Sequence, residues 1–164
     1  MLNIKDMAHM ALEVAKLNLQ TDGCLVPALL IVGDDDEEIT PINVMKFMGS
    51  NAGTSALAEL IRALVAKGAG RVGAVGMVID GWITVVPQDD KAKLTKLAKE
   101  GVAAQPDKGE AIVVNFKSPM EYVSLIQQYG RVDGRVVFEK PLKEFTEPRG
   151  DAFLGGLWKV GAIH

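Results

Sequence analysis

From Leu25 to Val32 every side chain is apolar. A run this short, bounded by Asp22-Gly23 on one side and Gly33 on the other, suits a β-strand covered on both faces. Pro27 lacks an amide donor, which places that end at an edge or at a strand start. The same β-rich texture returns from Val72 to Ile79, from Trp82 to Val86 and from Ala111 to Phe116. A chain built around such strands must find helices to cover them.

Two segments have the required spacing. Asn3 followed by Asp6 reads as a capping pair, and Ile4, Ala8, Ala11, Leu12, Ala15 and Leu19 recur at helical spacing, predicting a helix from Ile4 to Gln20. Ser50 or Asn51 can cap a second helix, in which Leu57, Leu60, Ile61, Leu64 and Val65 form an i, i+3, i+4, i+7, i+8 stripe closed by Gly68.

The rest reads as hairpins. Gly33 and the acidic run Asp34 to Glu38 are too polar to bury, and Ile39, Pro41, Ile42 and Val44 resume an apolar pattern beyond them, so the run is expected at a hairpin tip. Asp80-Gly81 lies between two apolar runs and is compatible with a two-residue turn or with a bulge in one long strand. Asp133-Gly134 predicts a type I′ turn between Tyr122 to Val132 and Arg135 to Lys140. Residues 88–108, rich in Lys, Asp and Ala, are expected to be a mobile segment with room for a short helix. The tail from Phe153 to Ile163 is apolar but broken by Gly155, Gly156 and Gly161, and is expected to dock on the domain or on a neighbouring subunit. With no repeated β-helix-β rhythm, the expected fold is a single α+β domain over residues 1–164: a two-layer sandwich of mostly antiparallel or mixed sheet with two main helices on one face.

Composition narrows the function classes. The apolar set is 48% of 164 residues, and the 17 glycines carry it above the roughly 45–50% usual for globular domains. Mean hydropathy is +0.16 with 24% charged residues, so part of the apolar surface is expected to be buried against another subunit; a homo-oligomer follows, with a dimer favoured and room for a protein partner. The net charge of −3 offers no cationic stripe for nucleic acid. Lys91, Lys93, Lys96 and Lys99 do cluster, but they alternate with Asp89, Asp90 and Glu100. Asp80 interrupts the most apolar stretch, Val72 to Pro87, and argues against a membrane span. A single cysteine, Cys24, and charges at Lys5, Asp6, Glu13 and Lys16 where a signal peptide needs an apolar core point to a cytoplasmic location.

Few residues offer chemistry. Gly68 to Gly73 spells G-x-G-x-x-G, but it follows a helix and precedes a strand, the inverse of a dinucleotide loop, and no cofactor is expected. Asp34, Asp35 and Asp36 are the candidate ligands for a hard cation, although adjacent carboxylates of a hairpin point apart. Ser50, Asn51, Thr54 and Ser55 make the second helix N-terminus the candidate anion site. His9 and His164 are the only imidazoles, too few for a His-based triad or zinc site. Cys24 reads as a small buried hydrophobe. Asp80 beside Trp82, with Glu110 or Asp107 nearby, is the candidate acid-base group, because a carboxylate against an indole has its pKa raised. The first expectation is a protein acting through self-association and partner binding. The alternative is an enzyme or ligand-binding protein using the carboxylates near Asp80 and the anion site.

Overall fold

The computed structural model describes residues 3–35, 38–68, 71–84, 86 and 89–147. Helix α1 spans Ile4–Asp22, opened by the Asn3 side chain accepting from the Asp6 amide at 2.8 Å and closed by left-handed Gly23. Strands β1 (Ala28–Gly33) and β2 (Ile39–Asn43) form the expected hairpin, with Asp34 and Asp35 of the acidic run at its tip. A short 3₁₀ turn leads into α2 (Asn51–Gly68) and the long strand β3 (Val72–Ile83). Then come α3 (Lys91–Glu100), β4 (Gly109–Lys117), β5 (Tyr122–Val132), β6 (Arg135–Val137) and β7 (Lys143–Phe145).

The strands form one antiparallel sheet in the order β2-β1-β3-β4-β5, with β6 and β7 sharing the outer edge of β5. The α+β class and the mostly antiparallel sheet are therefore as the sequence reads. So is the Asp133-Gly134 turn: both residues have positive φ, 49° and 76°, as type I′ requires. Asp80-Gly81, in contrast, is neither a turn nor a bulge. β3 runs straight through it, pairing Asp80 with Ile112 and Gly81 with Ala111 in unbroken register, because β4 pairs with it from Val75 to Ile83.

The two main helices do not share a face. Ile4, Ala8, Leu12, Ala15 and Leu19 of α1 pack with Ala74 and Val78 of β3 and Ile112, Val114 and Phe116 of β4. Leu57 and Ile61 of α2 pack with Leu29, Val75 and Met77. Successive strand residues point to opposite faces, so these alternating sets put α1 on one side of the sheet and α2 on the other. The reason is visible in β1 and β3, which are apolar at both alternating sets and need cover twice. α1 makes a two-layer sandwich with β3, β4 and β5, whereas α2 covers β1 and β3 from behind. Among the described residues, this diagonal cover leaves two quadrants of the sheet open: over β1 and β2 on the α1 side, and over β4, β5 beyond Tyr122, and β7 on the α2 side.

Candidate functional site

Asp80 and Glu110 do come together, on the α1 side of the sheet. The register pairs Asp80 with Ile112 and Glu110 with Tyr129, so the side chains of Asp80, Glu110, Tyr129 and Arg131 line one face across three strands. The Tyr129 hydroxyl donates to Glu110 Oε1 at 3.4 Å, and Arg131 Nε lies 3.5 Å from Glu110 Oε2 while its Nη2 donates to the Gly23 carbonyl that ends α1. Partial burial, reinforced by the Glu110 charge, raises the Asp80 carboxyl above the usual range. Burial, then Glu110 and Asp80, push Tyr129 up to about 12. Trp82, two residues along the same strand face, stands half exposed with the Lys108 ammonium 5.0 Å from its ring centre. Asp107 belongs elsewhere, held by Lys93 and by the Thr84 hydroxyl at 3.0 Å, and the Lys93 bond lowers its pKa. Tyr129 and Arg131 carry no sequence signal of their own; only the β4-β5 register brings them in.

The other candidates stay apart from this cluster. Ser50 Oγ accepts from the Gly53 amide at 3.0 Å, and Thr54 donates to the Ser50 carbonyl at 3.0 Å, so these groups cap α2. That helix end lies on the opposite side of the sheet from Asp80, and the two do not form one site. Asn51 and Ser55 stand in the first turns of the same helix. Asp34 and Asp35 sit at the hairpin tip, Asp36 lies outside the described residues, and among the described residues no group of three or more potential metal ligands assembles. His9 meets Glu144 of β7 at 3.3 Å, and Cys24 is exposed instead of buried. His164 and the tail from Phe153 to Ile163 lie outside the described residues.

A second feature is apolar. On the α1 side, a groove of about 350 Å³ runs between α1 and the β1-β2 hairpin, lined by Met7, Met10, Val14, Leu30, Ile39 and Pro41 among others. At about 100° per residue, the apolar side chains of α1 occupy an arc of roughly 220°, of which the sheet covers roughly 140°. The rest, Met10, Val14 and Leu17, is 54%, 58% and 63% exposed. The signal was in the sequence: these three stand at i, i+4, i+7, beside the stripe that identified the helix. The charged residues Lys5, Asp6, Glu13 and Lys16 are confined to the remaining arc.

No family model matches this chain, and no curated protein or solved structure matches it either. No helix among the described residues is long and apolar enough to cross a membrane.

Proposed function

We propose that this chain acts by self-association, and that the exposed apolar stripe of α1 is its contact face. The observation that carries this is the Met10, Val14, Leu17 stripe, a second apolar face on a helix whose first is already buried. A second copy is the occupant this face fits. In an antiparallel α1 pair Met10 meets the partner's Leu17 with Val14 on the two-fold axis, a self-complementary contact of the kind a symmetric dimer needs. A stable interface takes about 800 Å² from each copy. The groove rim supplies area beyond the stripe, since Val26 and Ile39 are also exposed there.

The β2 edge of the sheet does not compete. The Gly33 amide donates to the Glu38 carbonyl and the Val44 amide to the Pro27 carbonyl, which makes Leu30 and Pro41 a pair without mutual hydrogen bonds. The backbone nitrogen of Pro41 therefore faces outward from β2, and the missing donor blunts strand addition at the centre of that edge. A cytoplasmic setting, in which the exposed Cys24 thiol stays reduced, fits this reading. The carboxylate cluster supports an enzyme less well, because Asp80, Glu110 and Tyr129 line neither the α1 groove nor the clefts on the other side.

Native mass spectrometry with light scattering tests the proposal. The expected result is a dimer that Val14→Glu converts to a monomer with unchanged circular dichroism, while Glu13→Gln on the charged arc stays dimeric. A monomeric parent protein at high concentration, or a dimer indifferent to Val14→Glu and Leu17→Lys, overturns it.

A further inference from the structure

The second open quadrant lies on the α2 side, over β4, β5 and β7. Ile112, Val114 and Leu125, which point toward α1, are fully buried, whereas the alternating Val113 and Ile126 are only partly buried. Two adjoining clefts form a trough over them. One, of about 350 Å³, includes Ile83, Val86, Val102 and Ile126; the other, of about 270 Å³, includes Val113, Ser124, Ile126 and Glu147. Phe145 lines both.

We propose that this trough is the docking site for the chain's own C-terminal segment, Phe153 to Ile163. The place where the described chain ends points to this occupant. Glu147, the last described residue, is itself a wall of the trough, so the segment begins at the rim. The trough is about two strand spacings wide, roughly 10 Å, and residues 148–152 extend over roughly 16 Å, enough to turn back across β5. The segment then supplies Phe153, Leu154, Leu157, Trp158, Val160 and Ile163, with Lys159 as its one charge. Such a composition is too apolar to be left in water and matches a floor of Val113, Ile126 and Phe145. The α1 groove is the poorer destination, because the segment would have to round the β5 edge and cross β4 and β3 on the opposite face. The inference is independent of self-association, which uses that other face.

Trp82 and Trp158 are the only tryptophans, so Trp82→Phe, which keeps an aromatic ring at a residue that itself lines the trough, leaves Trp158 as sole reporter. In this background the expected result is a blue-shifted emission weakly quenched by acrylamide, and severalfold stronger quenching after Ile126→Asp or the milder Val113→Ser. Val26→Asp in the α1 groove leaves it unchanged, as do dilution and Val14→Glu. Emission of a solvated indole in the Trp82→Phe protein overturns the proposal. So does protection lost on dilution or with Val14→Glu, which assigns the segment to a second copy, and so does protection that responds to Val26→Asp but to neither trough variant.

Discussion

Phe116 lies flat over Gly76. The two are cross-strand partners in β4 and β3, and a Cβ built on Gly76 would stand 2.4 Å from Phe116 Cζ, closer than any real contact. The ring is fully buried beneath α1, so the missing side chain of Gly76 is the space Phe116 occupies. Gly76→Ala therefore overpacks the core and is expected to cost about 1–3 kcal/mol in urea unfolding. Phe116→Leu in the same chain recovers part of that loss. Simple additivity of the two substitutions would show that the ring does not require the glycine.

Burial and Glu110 raise the pKa of Asp80 in the folded chain. A group with a raised folded pKa favours the fold fully below its unfolded pKa, about 3.9, and that contribution is lost as pH rises through the folded value. At about pH 7 Asp80 is thus a charge the fold tolerates without benefit. Asp80→Asn is expected to raise the melting temperature there, with the gain vanishing toward about pH 4. A loss of stability at neutral pH would mean that the carboxylate makes a favourable contact.

The opposed placement of the helices has its own test. Leu57 of α2 and Met77 of β3 share one cluster, and Leu12 of α1 belongs to the other. Leu57→Ala is expected to cost about 2–5 kcal/mol. In double-mutant cycles it couples with Met77→Ala by about 0.5 kcal/mol or more, and adds to Leu12→Ala within about 0.5 kcal/mol. Coupling to Leu12 alone would place both helices on one face.

Local chemistry made much of this chain legible as sequence. Asn3 and Gly23 bracket α1, the Leu57 and Ile61 stripe marks α2, and Asp133-Gly134 demands a turn with two positive φ values, because each signal is read within a few residues of backbone. Asp80-Gly81 left a turn and a bulged long strand both open for the same reason: the pair favours a turn locally, and only a long β4 partner, distant in sequence, holds it extended within one strand. The sharing out of sheet faces was likewise beyond the sequence. A strand apolar at both alternating sets announces that it is covered twice, but which helix lies on which side depends on packing between segments far apart. Of the groups around Asp80, Glu110 is readable as a candidate from the sequence, whereas Tyr129 and Arg131 arrive only through strand register. The sequence by itself determined the helices, most of the strands and the excess of apolar side chains. Tertiary structure alone decided where that excess is exposed, since one diagonal pair of helices cannot cover two faces of a sheet this wide.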